Sequence, residues 1–464
     1  MRKRIAVIGG GIAGLAAAVR LRDVHPGAEV VVYESGPALG GKLSTGELGG
    51  RTVERGAESF LNSAPDGGES AAVALARRVG LGDALVHPAA RPAALAFGGR
   101  LAPIPGGTLV GVPGDLSTLD GVALPASGAD RDTGRPLLAP GADVAVGALV
   151  RERFGDEVVD RLVDPMLGGV YAGRADRLSL RVTMPQLAHT AETEHTLTAA
   201  VRAAQARGRR VPGRPVFAAV VGGMSRLAGA AASASGARIS LGAPARELTR
   251  TGKGLWKVVS GPVPAPRTEE FDAVILALPA KPASRLLSEV APEPAAAVAA
   301  LDYASVALAA MALPAGTGLP DLSGFLVPPG EGTLVKAATF FTTKWPHLAR
   351  EDGPVIVRVS LGRSGEEERL QRDDAALLET ARRELSDLLG VGLPVPAAAW
   401  VQRWGGGLPQ YAPGHADRIA AARAGLPEGL ALAGAAFDGV GIPVCVASGE
   451  RAADDVSTFL KEIA

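Results

Sequence analysis

Six residues near the start of the chain have the types and spacing of a dinucleotide-binding turn. The sequence Gly9-Gly-Gly-Ile-Ala-Gly14 follows the apolar run 4–8 and leads into a segment rich in helix formers. Gly9 permits the tight turn, Gly11 lets the backbone approach a pyrophosphate, and Gly14 allows the helix to pack closely on the strand. A helix that begins here presents N–H groups and the positive end of its dipole to phosphate groups. The pattern therefore predicts a dinucleotide held by Gly9, Gly10, Gly11, Ile12, Ala13 and Gly14.

An acidic residue follows at the position that such a site requires. The apolar run 30–33 ends at Glu34, twenty residues beyond Gly14, with Ser35 next to it. A carboxylate here accepts hydrogen bonds from an adenosine ribose, and it disfavours a 2′-phosphate. NADP is therefore disfavoured, whereas NAD and FAD both remain.

Two further glycine-rich stretches favour FAD over NAD. The first comprises 39–42 and 49–60, close behind the dinucleotide turn, and the second is 434–443 near the end of the chain. A long flavin cofactor needs backbone that crowds closely along more of its length, and a helix start near its ring would stabilise negative charge. The alternatives, an ordinary loop at Gly40 and Gly41 and a plain turn at 439–441, stay open at this point.

Composition limits the other functions. The chain has 464 residues, so several domains are expected, and its 48 basic residues balance 48 acidic ones, which argues against nucleic-acid binding. Cys445 is the single cysteine, which excludes an internal disulfide and a cysteine zinc site and fits a reducing compartment. The run 5–8 is a strand rather than an export signal, and no stretch approaches the roughly 18 apolar residues of a transmembrane segment. A cytoplasmic protein without a metal is expected.

The elements that must position these residues follow from hydrophobic patterning. The runs 4–8 and 30–33 with the intervening helix form a βαβ unit, which predicts parallel strands in an α/β fold. The segment 121–141 is predicted to be a surface loop, 143–208 to be mostly helical, and the last helix to begin at about Ser448. Further helix and strand segments are predicted at 71–82, 238–248, 271–279, 305–313, 333–341, 355–361 and 430–433.

Together with these motifs, several longer segments identify a family. The chain resembles, nearly end to end, the protoporphyrinogen and coproporphyrinogen oxidases of the FAD-dependent monoamine oxidase superfamily. The segments 163–173 and 404–415 are selective for this family, whereas the first and last flavin motifs are generic. Other segments that carry the resemblance are 40–42, 53–61, 178–180, 221–224 and 439–443.

The resemblance implies a three-part architecture. A discontinuous, Rossmann-like FAD-binding domain is expected from residues 1–75, 212–285 and 396–464. A mixed-sheet substrate domain is expected from 86–115 and 286–395, and an inserted, mostly α-helical domain from 116–211.

The resemblance also implies which residues meet the cofactor. Those at the flavin end would be Lys42 and the run Gly56, Ala57, Glu58 and Ser59, while Ala245 would meet the adenine side through its backbone. Trp404 and the run Ile442, Pro443 and Val444 would lie near the flavin. The family usually has Asp where this chain has Val444, so a side-chain contact is lost there. A carboxylate-binding arginine has no clear counterpart in 106–114.

On the substrate side, the resemblance places Gly168, Gly169 and Tyr171 against a macrocycle, with a plain helix-breaking turn as the alternative. No dedicated catalytic base is expected. His415 and Asp164 are expected to fix loops, and Lys336 to be a solvated strand charge rather than a flavin-facing lysine.

The implied reaction is the six-electron oxidation of a porphyrinogen in haem biosynthesis, with oxygen as acceptor and hydrogen peroxide as product. Coproporphyrinogen III is favoured over protoporphyrinogen IX, because relatives in GC-rich Gram-positive bacteria generally use the four-carboxylate substrate. An amine oxidase, a carotenoid desaturase and a flavin-containing porphyrin carrier are the alternatives. Transient contact with a ferrochelatase is a further expectation from pathway logic.

Overall fold

The computed structural model describes residues 2–208 and 213–462 and has a mixed α/β fold with several sheets. The expected domain boundary between residues 211 and 212 lies outside the described residues, as do the chain ends at 1 and 464.

A five-stranded parallel sheet joins segments from the start, middle and end of the chain. In spatial order its strands are Arg238–Ser240, Glu29–Tyr33, Arg4–Ile8, Ala273–Leu276 and Leu430–Leu432. The strands Arg4–Ile8 and Ala273–Leu276 are apolar except for Arg4, because both faces of the sheet are covered. The βαβ unit predicted at the start of the chain is confirmed, with the helix Ile12–Val24 between its strands.

The first and last helices pack against each other beside this sheet. A Cβ atom on Gly449 would lie 2.0 Å from the carbonyl oxygen of Ala13, so glycine allows the two backbones to approach. The last helix spans Ile442–Glu462 and begins six residues before the predicted Ser448. Pro443 is compatible with a first helical turn, which is why the helix extends back to the glycine-rich segment.

The second large sheet has seven strands and is mainly antiparallel. In spatial order its strands are Ala398–Gln410, Asp302–Leu313, Val355–Leu361, Val335–Phe340, Gly324–Leu326, Ala93–Phe97 and Arg100–Pro103. The helix Asp374–Leu389 covers one face. On the other face Ala310 and Ile356 share an apolar cluster with Ile12 of the first helix.

The long strand Ala398–Gln410 differs from the sequence-based division. It pairs with Asp302–Leu313 along most of its length, so it extends the seven-stranded sheet, whereas the predicted boundary groups residues from 396 onwards with the FAD-binding segments. Such pairing partners, about a hundred residues apart, cannot be read from local sequence patterns.

Helices dominate residues 146–207, as predicted, and they bury their own apolar core. A π-helical turn at Val159–Val163 leads directly into the helix Asp164–Tyr171. The segment 121–141 contains neither helix nor strand, which confirms the predicted loop. The remaining helices in this region are Val146–Phe154, Asp156–Val158, Leu180–Thr183, Pro185–Ala191 and Leu197–Arg207.

The other elements are shorter and complete the layers. Small sheets are formed by Phe60–Leu61, Phe217–Val220 and Leu85–Val86, by Ala245–Arg250, Trp256–Ser260 and Arg267–Phe271, by Thr45–Leu48 and Arg51–Glu54, and by Thr108–Leu109 and Val112–Pro113. The other α-helices are Ala71–Arg78, Ser225–Ser235, Ala280–Leu287, Pro292–Ala299, Phe341–Lys344, His415–Ala424 and Ala435–Asp438. Within 2–208 and 213–462, no helix is long and apolar enough to cross a membrane.

Candidate cofactor and substrate site

The turn after the first strand has the shape that a large phosphate ligand requires. Gly9 has a φ of 116°, and a Cβ atom on Gly14 would lie 2.0 Å from the carbonyl oxygen of Gly9. A Cβ atom on Gly11 would meet nothing within 4 Å, so the space beside the turn is open. Gly11 also precedes the first helix without a capping side chain, which leaves the first-turn N–H groups for an anion.

Glu34 lies beside this turn. One carboxylate oxygen accepts a hydrogen bond from the backbone N–H of Gly10 at 2.9 Å, and the other accepts one from Gly36 at 2.7 Å. The Ser35 hydroxyl donates to the same carboxylate at 3.2 Å. The acidic side chain is therefore fixed at the carboxyl ends of the parallel strands, where open α/β sheets bind their ligands.

Ala245 lies near the same edge of the sheet. The backbone N–H of Ala243 donates to the carbonyl oxygen of Glu34 at 2.9 Å, and Gly242 donates to Gly36 at 2.9 Å. Ala245 begins a strand two residues later and is half-buried. The chain thus brings Ala245 to the Glu34 side of the turn.

Backbone contacts join the second glycine-rich stretch to the first. Gly40 N–H donates to the carbonyl oxygen of Gly10 at 2.8 Å, and Ala57 N–H donates to Lys42 at 3.1 Å. A Cβ atom on Gly56 would lie 2.0 Å from the Lys42 carbonyl oxygen and 3.4 Å from the Trp404 ring. The Trp404 indole N–H donates to the Arg55 carbonyl oxygen at 2.7 Å. Lys42, the run 56–59 and Trp404 are therefore neighbours.

The last helix brings the end of the chain to the same place. Ile442, Pro443 and Val444 form its first turn, with Ile442 buried and Val444 38% exposed. Gly441, which has a φ of 113°, leaves open space where a Cβ atom would be. Ile442 shares a buried apolar cluster with Ile12 and Leu43, and Cys445 packs against the same cluster. Segments from both ends of the chain thus meet at the carboxyl edge of the parallel sheet.

Cys445 is expected to be unreactive in the folded protein. Burial raises the pKa of its thiol to about 12, so the nucleophilic thiolate is almost absent at pH 8. An aromatic disulfide reagent should label about one thiol per chain in guanidinium and, over the same minutes at pH 8, almost none in the native protein. Rapid stoichiometric labelling of native protein would contradict this burial.

A buried ion-pair network holds the stretch around residue 56. Arg358 donates to the carbonyl oxygens of Glu54 and Gly56, both at 2.9 Å, and pairs with the Glu58 carboxylate at 2.5 Å. Lys344 also pairs with Glu58. Burial alone would raise the pKa of Glu58, but these two cations outweigh it and hold the pKa below its ordinary value. The Glu58 side chain is thus engaged within the protein.

Sequence reasoning missed this network. Glu58 lies in the segment 53–61, which carries the family resemblance. Arg358 is 300 positions away in the seven-stranded sheet, and no local signal links the two. Glu54 is also buried, and it accepts hydrogen bonds from Met224 N–H at 2.8 Å and from the Thr45 hydroxyl at 3.0 Å. Burial raises the pKa of Glu54 to about 7.

The substrate-side candidates lie in a helix rather than in a turn. Gly168, Gly169 and Tyr171 belong to the last turn of Asp164–Tyr171, and the chain leaves the helix through Ala172 with a φ of 52°. Neither glycine breaks the helix, since both have helical conformation and the chain is continuously helical from Asp156 to Tyr171.

The helix approaches Trp404 through a small apolar cluster. Ala172 packs with Ala304 and Val306 of the seven-stranded sheet, and Trp404 lies against the same cluster. Gln410 donates to the carbonyl oxygen of Tyr171 at 2.8 Å, so that carbonyl is engaged. The selective segments 163–173 and 404–415 are thus in direct contact.

The side chains of the remaining candidates, Asp164, His415 and Lys336, contact other parts of the protein. Asp164 accepts from the backbone N–H of Ala175 at 2.5 Å and pairs with Arg174, which fixes the chain after the helix. His415 is buried against the Tyr411 ring at 4.8 Å, and burial lowers its pKa to about 4. Lys336 is not solvated as expected: it is only 5% exposed. The described part of the chain holds no cluster of metal-ligating side chains.

Comparison with known proteins gives the family. Residues 12–457 match the model of the flavin-containing amine oxidoreductases. The chain belongs to this family. A protein named coproporphyrinogen III oxidase from Mycobacterium tuberculosis (strain ATCC 25618 / H37Rv) is 38% identical over 97% of this chain and 96% of its own length. A Bacillus subtilis (strain 168) protein of the same name is 28% identical over 99% of each chain.

A solved structure has the same architecture. The crystal structure of a candidate protoporphyrinogen oxidase from Exiguobacterium sp. 255-15 superposes with a TM-score of 0.84, with 29% identity and 99% coverage of both chains. The family identifies the chain as an FAD-dependent oxidoreductase, and the open space beside Gly11 and Gly441 fits such a cofactor.

Proposed function

We propose that the protein oxidises coproporphyrinogen III to coproporphyrin III in haem biosynthesis. The contact between the segments 163–173 and 404–415 carries this proposal, because Ala172 and Trp404 belong to one apolar cluster and Gln410 donates to the carbonyl oxygen of Tyr171. The names of the mycobacterial and Bacillus relatives, matched over nearly the whole chain, support the same substrate. Protoporphyrinogen IX is the second candidate, supported by the name of the Exiguobacterium protein.

The proposed cofactor residues divide the work along FAD. Gly9 to Gly14 would hold the pyrophosphate, Glu34 and Ser35 the adenosine ribose, and Ala245 the adenine side. Lys42, the run 56–59, Trp404 and the run 442–444 would hold the flavin end, with Glu58 contributing its backbone because its carboxylate is ion-paired.

FAD supplies the two-electron oxidation, and oxygen is the proposed acceptor. The chain contributes orientation and exclusion of water: Trp404 and its apolar neighbours would present a dry surface to the macrocycle. The proposed substrate domain contains the seven-stranded sheet, and the proposed inserted domain contains the helices from 146 to 207. A transient ferrochelatase contact and a cytoplasmic location belong to the same proposal.

Anaerobic mixing with reduced coproporphyrinogen III tests the function. We expect the flavin absorbance to bleach and red porphyrin fluorescence to accumulate after air is admitted, with faster turnover on the four-carboxylate than on the two-carboxylate porphyrinogen. Bleaching by simple amines but not by porphyrinogens would favour an amine oxidase. No bleaching by either porphyrinogen would overturn the proposal and leave a carrier.

A further inference from the structure

Lys336 is a buried cation in the seven-stranded sheet. It lies in the strand Val335–Phe340, at a register shift between Val335 and Ala337, and its side chain is almost completely enclosed. Its ammonium group donates to the carbonyl oxygen of Gly168 at 3.1 Å. Lysine is almost never fully buried unless a partner charge compensates it. The hydrogen-bond partner of the Lys336 ammonium group is a carbonyl oxygen rather than a carboxylate, so this buried lysine needs an explanation.

The charged side chains that shift the pKa of Lys336 are cationic. Arg363 and Arg358 are the two that act on it, and neither is an anion that could neutralise it. Arg358 is paired with Glu58, and Arg363 donates to the backbone carbonyls of Val327 and Thr333. Burial, followed by these two arginines, lowers the pKa of Lys336 to about 7. Within residues 2–208 and 213–462, no carboxylate forms an ion pair with Lys336.

The last turn of the helix Asp164–Tyr171 lies over the Lys336 ammonium group. Gly168 and Gly169 have no side chains, and a Cβ atom on Gly169 would meet only the Leu326 side chain. Gly168 is buried, whereas Gly169 is exposed and Val170 is 49% exposed, so the outer side of this helical turn is accessible. In a low-dielectric surrounding, a charge acts over a longer distance than it does in water.

Resting on the proposed function, we infer that Lys336 determines substrate specificity by attracting a carboxylate of the porphyrinogen that lies against Gly169 and Val170. A buried cation without a counter-ion gains most when an anion approaches. The sequence offers no carboxylate-binding arginine in 106–114, and Lys336 fills this role from beneath the helix.

Turnover of coproporphyrinogen III and of its tetramethyl ester can be compared in Lys336 variants. The comparison distinguishes attraction of a substrate carboxylate from simple anchoring of the helix Asp164–Tyr171. For Lys336→Met, we expect KM for coproporphyrinogen III to rise about tenfold, the equivalent of one lost charge contact, with kcat little changed. KM for the uncharged tetramethyl ester should stay the same. Lys336→Arg should keep the preference for the acid. Lys336→Gln retains a hydrogen-bond donor for Gly168 but has no charge, so it should behave like Lys336→Met.

The acid-to-ester ratio of kcat/KM does not depend on how much protein is folded. Lys253→Met is the matched control, because Lys253 is an exposed lysine in the loop between the strands Ala245–Arg250 and Trp256–Ser260. Equal losses on acid and ester in Lys336→Met, or a normal ratio in Lys336→Gln, would mean that Lys336 only anchors the helix and would overturn the inference. Absence of turnover in the unmutated enzyme would instead refute the proposed function.

Discussion

Gly14→Ala is expected to yield a protein that does not retain FAD. The added methyl group would lie 2.0 Å from the carbonyl oxygen of Gly9 and 3.2 Å from the Ala277 side chain, so the first helix must shift away from the turn. Overpacking of this kind costs about 3 kcal/mol, which corresponds to roughly 100-fold weaker cofactor binding. The turn is affected directly, since Gly9 is its first residue and Gly14 lies in the first helical turn that faces the phosphates.

The flavin absorbance of purified protein, followed by titration of the apoprotein with FAD, measures this loss. Gly229→Ala is the matched control, because Gly229 also lies within a helix but has open space where a Cβ atom would be. That change should leave the FAD content unaltered and raise the free energy of unfolding by up to about 1 kcal/mol, the helix propensity difference. A yellow Gly14→Ala protein with normal FAD affinity would show that the turn does not hold the cofactor.

Local patterns in the sequence predicted the elements that surround the turn. The run 4–8, the glycine spacing and Glu34 together specify a βαβ unit, because strand burial, turn conformation and ribose binding each constrain residues that are close in sequence. The strand Val355–Leu361 was likewise predicted with the observed bounds, since its ends are marked by Pro354 and Gly362. Such signals need no knowledge of distant partners.

Long-range charge interactions were beyond sequence reasoning. A lysine in a strand pattern resembles a solvated charge, and only the packing of the helix Asp164–Tyr171 over Lys336 buries it. Similarly, the start of the last helix depends on its packing against the first helix, where Gly449 meets Ala13. Tertiary contacts determine both the burial of Lys336 and the first residue of the last helix. Local propensity alone predicts an exposed lysine and a later helix start.

Loss of Arg358 is expected to destabilise the flavin end of the site and the fold together. The side chains of Arg358 and Glu58 are 11% and 10% exposed, so Arg358→Met leaves a carboxylate buried with Lys344 as its remaining partner. It also removes the donors to the carbonyls of Glu54 and Gly56. Breaking a buried pair on one side costs about 3 kcal/mol. Urea unfolding should show this loss, accompanied by weaker FAD binding.

A double-mutant cycle with Glu58→Gln isolates the ion pair. Once Glu58 carries no charge, removal of Arg358 no longer leaves an uncompensated carboxylate, so the two changes together should cost clearly less than their sum. Arg382→Met is the surface control: Arg382 pairs with the exposed Glu379 and donates to the carbonyl oxygen of Leu393, so its loss should cost much less than the loss of Arg358. Strict additivity in the cycle would show that Arg358 acts through its carbonyl contacts alone. The stretch around Gly56 would then depend on hydrogen bonds from the seven-stranded sheet rather than on the charge of Glu58.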